Sequence, residues 1–143
     1  MKRASALLKS GKVFLQGYSE TTAGVWIAAG PVFVASANEL RQLRNNIIEA
    51  MQQSTRGIPH PSQAEWKEIQ GAMLRAVGAK TWSALAKGSK VVGLECSGND
   101  VTMIPSISYE NHGGTAVPEL SFTSHLSADD IGSKLRDAFA ACR

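Results

Sequence analysis

Three tetrapeptides of the form Ser-x-x-acid, Ser36–Glu39, Ser62–Glu65 and Ser127–Asp130, each stand directly ahead of apolar residues repeated at helical spacing. In such a box the serine hydroxyl accepts a hydrogen bond from an amide that helix geometry leaves without a partner, and the acid reaches back to the serine amide. The boxes predict three helices with inward stripes: Leu40, Leu43, Ile47, Ile48 and Met51; then Trp66, Ile69, Met73 and Val77, ended by Gly78; then Ile131, Leu135, Phe139 and Cys142. A further short turn of helix around Trp82 and Leu85 stops at Gly88.

Short β-branched and aromatic runs precede the first and last helices. Lys12–Tyr18 (KVFLQGY), Gly24–Ala29 (GVWIAA) and Val32–Ala35 (VFVA) read as an antiparallel meander, with Gly30-Pro31 as one of its turns. Lys90–Cys96 (KVVGLEC), Val101–Tyr109 (VTMIPSISY), interrupted at Pro105, and Glu119–Ser124 (ELSFTS) read as a second. Ser36-Ala-Asn-Glu-Leu matches Ser127-Ala-Asp-Asp-Ile, and Leu43-Arg-Asn matches Leu135-Arg-Asp with a one-residue shift. The expectation is one α+β domain over residues 1–143 with a first repeat at about 12–53, a middle helical connection at about 57–88 and a second repeat at about 90–142. Each repeat would form its own antiparallel sheet of three to four strands, covered by its helix. Trp66 and Trp82 would fill the middle connection, and Trp26 is also assigned to the core.

A chain of 143 residues with 43% apolar side chains can bury a core. Its longest apolar runs fall short of the roughly 18 to 20 residues of a membrane span, and MKRASALLKSGK carries only Ala6, Leu7 and Leu8 where a signal peptide needs more, so a cytoplasmic protein is expected. Cys96 and Cys142 form no metal-ligand, redox or disulfide spacing and read as buried free thiols. The net charge of +3 is unevenly placed: residues 1–89 hold eleven Lys/Arg against five Asp/Glu, residues 90–143 four against seven. Two electrostatically different halves follow.

No hydrolase, metalloprotease, phosphate-loop or paired-cysteine motif is present, which argues against an enzyme and against a cofactor. Three weaker chemical readings remain. His112 with Cys96 and His125 offers three potential zinc ligands, but without regular spacing. Glu110 beside His112, in the loop Glu110-Asn-His-Gly-Gly114, offers an acid/base pair, although a glycine-rich loop seldom holds that geometry. Lys9, Lys12, Arg41 and Arg44 offer phosphate contacts for a single-strand nucleic-acid-binding module. Against these stands an acidic set, Glu95, Asp100, Glu110 and Glu119, in or beside the second group of strands and with no basic residue near in sequence. Such a face would steer a Lys/Arg-rich protein partner.

The meander into Ser36–Glu39 and its helix, the segment TWSALAKGSKVVGLEC (Thr81–Cys96), the strand DVTMIPS (Asp100–Ser106) and the capped terminal helix together resemble the immunity proteins of bacterial contact-dependent growth inhibition, in particular those with a Whirly-like two-sheet fold. The resemblance implies a non-enzymatic protein without cofactor or metal. It would bind the C-terminal toxin domain of its cognate delivered protein one-to-one, commonly a nuclease that cleaves transfer RNA, and cover its active site or substrate surface. No contact residues carry over. The toxin-binding candidates chosen from the sequence are Glu95, Asp100, Glu110, His112 and Glu119, in a loop and sheet region where Gly113 and Gly114 supply the turn. The net positive charge leaves the sign of the binding face open, and a homodimer through an uncovered sheet edge stays open too.

Overall fold

The computed structural model of the chain describes residues 1–110 and 114–143. Its central strand, β1 (Lys2–Lys9), falls in a segment to which the sequence pattern assigns no element. β1 pairs antiparallel on one side with β2 (Lys12–Thr21), from Arg3 opposite Tyr18 to Lys9 opposite Lys12. On its other side it pairs with β5 (Lys90–Ser97), from Lys2 opposite Cys96 to Leu8 opposite Lys90. Ser10 and Gly11, both at positive φ, close the first hairpin in two residues, the turn whose twist suits paired strands.

Because β1 serves both halves, the two sheets expected from sequence are a single eight-stranded one. Its order is β3 (Trp26–Ser36), β2, β1, β5, β6 (Asp100–Ile107) and β7 (Thr115–Ala116), with β8 (Phe122–His125) on the same outer edge of β6 and β4 (Arg56–Ile58) parallel to the end of β2. The α+β class stands; the division into two sheets does not.

Two local expectations also change. Gly24–Ala29 and Val32–Ala35 are not two strands joined by a turn, but parts of the one strand β3. Gly30 takes a φ of 83° inside it, and the Gly30 carbonyl accepts from Gln16 Nε2 at 3.0 Å where the β2–β3 register shifts. Only glycine adopts that φ without strain, so the irregularity sits where Pro31 has no amide to give the ladder. β6 runs unbroken through Pro105, the point where its outer partner changes from β8 to β7.

α1 (Leu40–Gln53) and α4 (Ile131–Ala141) lie side by side on one face of the sheet. Leu43, Ile47 and Met51 meet Ile131, Leu135 and Phe139 there, above Ala4, Ala6, Val13, Leu15, Val92, Leu94 and Met103 of the strands. Leu40, expected inward, is 38% exposed because the helix only begins there. α2 (Gln63–Val77) and the short α3 (Trp82–Ala86) occupy the opposite face, where Met73 and Leu85 pack on Leu7 and Phe14. Ser62 makes the expected reciprocal box with Glu65, and Gly78 ends α2 in the left-handed conformation. The other two boxes do not form. Ser36 Oγ accepts from the Asn38 amide and Ser127 Oγ from Asn99 Nδ2, so α1 and α4 start at Leu40 and Ile131 without a side-chain cap.

Candidate functional site

Strand alternation divides β1 between the two faces: Ala4 and Ala6 go under α1 and α4, while Arg3, Ser5 and Leu7 face α2. On the α2 side, register places Tyr18, Arg3, Glu95 and Thr102 in one row across β2, β1, β5 and β6, and Gln16, Ser5, Gly93 and Ile104 in the next. α2 lies mainly over β2 and β3, with Met73 reaching Leu7 of β1. The β5–β6 part is left half-exposed.

A cavity of about 300 Å³ opens between α2 and the sheet, and every tryptophan and tyrosine of the chain lines it. Trp26 comes from β3, Tyr18 from β2, Trp66 from α2, Trp82 from α3 and Tyr109 from the turn that follows β6. Among the described residues the lining includes no ionised side chain; its polar side chains are Ser5, Gln16 and Gln70, the Tyr18 and Tyr109 phenols and the three indole N–H groups. Burial raises the phenol pKa of Tyr18, and burial followed by the neighbouring Tyr18 raises that of Tyr109. A second cavity of about 360 Å³ shares Ser5, Tyr18 and Trp26 with the first and continues over Gly93 toward Ile104. At Gly93 an added Cβ would meet nothing nearer than Ile104 O at 4.0 Å, so the floor of the groove is open.

Arg3 stands at the junction of the two cavities. Its guanidinium lies 4.8 Å from the Trp26 ring centroid, in cation–π range, and its Nε is 3.8 Å from Glu95 Oε1. That Nε is buried and has no hydrogen-bond acceptor among the described residues. The site is thus an aromatic, uncharged cleft with a pre-oriented cation and a carboxylate at one mouth. It has room for an apolar group beside a hydrogen-bond acceptor, and among the described residues it presents no nucleophile–base pair.

The residues singled out from sequence do not form one cluster. Glu95 is in the groove, half-exposed and paired with Arg3 of the basic half, so the acidic region is offset across the sheet rather than along the chain. Asp100 is at the far end of β6, where its carboxylate meets His125 Nδ1 at 2.9 Å; both side chains are largely exposed. Glu110 accepts from the Gly88 amide and ties the end of β6 to α3. Glu119 is exposed on the 3₁₀ turn Pro118–Leu120. His112 and Gly113 lie outside the described residues; Gly114 has the expected positive φ. Cys96 shares the helix-covered face of the sheet with Val101 and Ser124, while His125 is on the other, so these two do not converge on a zinc ion. Among the four basic residues offered for phosphate, Lys9 Nζ donates to the Ala84 and Leu85 carbonyls at 2.8 and 3.1 Å, and Arg44 is 3.9 Å from Asp129.

Sequence pattern alone does not show the groove, because it assigns the tryptophans to the core. Trp82 is 46% exposed and Trp26 and Trp66 are half-buried. The usable signal is local: Trp66 stands between Glu65 and Lys67 and Trp82 between Thr81 and Ser83, polar settings for large aromatic side chains.

No family model matches the chain, and no curated protein matches it by sequence. Solved structures share its fold, two of them as follows. A Neisseria meningitidis protein of unknown function matches with a TM-score of 0.80 at 16% identity, covering 99% of this chain and 95% of the other. A chain from a CdiA-CT/CdiI toxin and immunity complex of Yersinia pseudotuberculosis matches with a TM-score of 0.77, also at 16% identity, covering 99% of this chain and 97% of the other.

Proposed function

We propose that this protein is an immunity protein of a contact-dependent growth inhibition system, which binds a cognate toxin domain one-to-one in the cytoplasm and blocks it without performing catalysis. The observation that carries the reading is the match over nearly the full length of both chains to a member of a toxin and immunity complex. The sequence resemblance points the same way, and the open aromatic groove is the kind of surface a protein partner covers. On that resemblance the toxin is a nuclease that cleaves transfer RNA. The strand order, symmetric about the β1–β5 pair, also supports a duplicated, Whirly-like ancestry in which β1–β2–β3–α1 corresponds to β5–β6–β8–α4.

Within this reading Glu95 contacts the toxin directly, while Asp100, Glu110 and Glu119 form a charged rim that speeds encounter. The test is reconstitution with the toxin domain encoded immediately upstream. A one-to-one complex by native mass spectrometry, together with protection of cells on co-expression, is the expected result. Absence of a complex at micromolar concentration together with absence of protection would sink the proposal.

A further inference from the structure

The groove between α2 and β1–β2–β3 gathers the side-chain types that dominate protein interfaces. Trp, Tyr and Arg are the residues whose truncation most often costs an interface its affinity, and they act from desolvated pockets near its centre. Here the chain's whole complement of Trp and Tyr lines one cavity, with Arg3 at its mouth. Trp82 remains 46% exposed in its lining, and Val25, 44% exposed, lines a neighbouring pocket that shares Trp66 and Gln70 with it.

The lining also specifies what fits. With only neutral polar groups in the wall, a charged side chain entering the cavity would lose its hydration and meet no opposite charge there. At about 300 Å³ the space is at the small end of ligand pockets and suits an inserted side chain. Arg3 is already ordered by Trp26 while 39% of its side chain remains exposed, so a carbonyl or carboxylate oxygen delivered beside the inserted group can pair with the guanidinium.

We infer that the aromatic groove is the energetic centre of the toxin interface, taking a toxin segment that places one apolar side chain among Trp26, Trp66 and Trp82 and an oxygen acceptor on Arg3. This rests on the immunity reading and adds a division of labour to it. The groove sets the dissociation rate, whereas the acidic rim sets the association rate and its salt dependence.

The experiment measures toxin-domain binding by surface plasmon resonance for wild type and single variants, with circular dichroism confirming each fold. Trp66→Ala and Arg3→Met should raise Kd by about 30-fold or more, through dissociation. Gly93→Phe, which fills the adjoining cavity beside Arg3 through which the segment must pass, without removing a contact, should do the same and guards against Trp66→Ala failing to fold. Glu119→Gln should change Kd by less than about threefold, with its effect in the association rate at low salt. Wild-type Kd retained by Gly93→Phe and Arg3→Met, with a wild-type complex present, overturns the groove assignment and leaves the immunity function standing. No wild-type complex removes both. A wild-type dimer of this chain that Gly93→Phe converts to monomer, with toxin affinity unchanged, also overturns it, since the groove would then be occupied by a second copy.

Discussion

An alanine at position 132 would place its Cβ 2.4 Å from the Leu40 carbonyl oxygen, a backbone atom that cannot swing aside. In an open helix Gly→Ala stabilises by about 1 kcal/mol; here the same change must push α4 off α1. Gly132→Ala is therefore expected to destabilise by about 1–3 kcal/mol, the usual range for overpacking, as read by urea denaturation. A gain in stability would mean that the helices are not this close. Tyr18 supplies a second test. Burial holds its phenol above the ordinary value of 10.0, so the unfolded state loses its proton first as pH rises. This contribution is intact below about pH 10 and is lost as pH climbs through the folded value, and Tyr18→Phe should shift the alkaline unfolding midpoint upward. An unchanged midpoint would show that the phenol is not desolvated. Residues of this kind explain what could be read in advance. Leu43, Ile47, Leu135 and Phe139 announce themselves by local periodicity, whereas Arg3 acquires its roles from Trp26 and Glu95, which only strand pairing brings to it.

The three Ser-x-x-acid boxes show where element-level inference holds and where it fails. Only Ser62 is followed at once by helix, with its hydroxyl on the Glu65 amide at 3.3 Å and Glu65 Oε1 accepting from the Ser62 amide at 3.2 Å. After Ser36 the chain is still completing the end of β3, with the Ala37 amide donating to the Gly11 carbonyl, and this delays the helix to Leu40. Ser127 belongs to the turn after β8, where the Leu126 amide donates to the Asn99 carbonyl. Helix existence was legible because stripes of apolar residues are local; helix starts were not, because a tertiary backbone bond outbid the cap. Ser62→Ala should accordingly cost about 1 kcal/mol and speed amide exchange over residues 63–65, while Ser36→Ala and Ser127→Ala should change stability by only about half of that or less. Equal losses at all three would contradict the observed starts. β1 was hidden for another reason: its inward positions are Ala4 and Ala6, and alanine and lysine carry little strand signal.

At the scale of the whole molecule, that inconspicuous strand decides whether there is one cooperative unit or two. Seven residue pairs join β1 to β2 and seven join it to β5, and among the described residues β1 is the only path by which the β3–β2 half reaches the β5–β6 half within the sheet. The other face adds a bridge from the same strand, through Lys9 capping the carbonyls of α3. Ala6 is fully buried at the middle of both ladders. A proline there removes an amide, forces its ring into a packed layer and should cost about 3 kcal/mol or more. If the shared strand couples the halves, Ala6→Pro lowers the denaturation midpoint of tryptophan fluorescence, which reports the α2 side, and of far-UV circular dichroism, which reports all four helices, by the same amount. Ala116→Pro, in the exposed two-residue edge strand β7, has no such reach and should leave both midpoints within about 0.5 kcal/mol of wild type. Separation of the two transitions in Ala6→Pro would instead show that each three-strand-plus-helix half holds itself together. Charge fits the coupled picture. Counted along the chain the halves are basic and acidic, but at their seam Arg3 and Glu95 face each other across β1 and β5, and the asymmetry is partly cancelled where the groove begins.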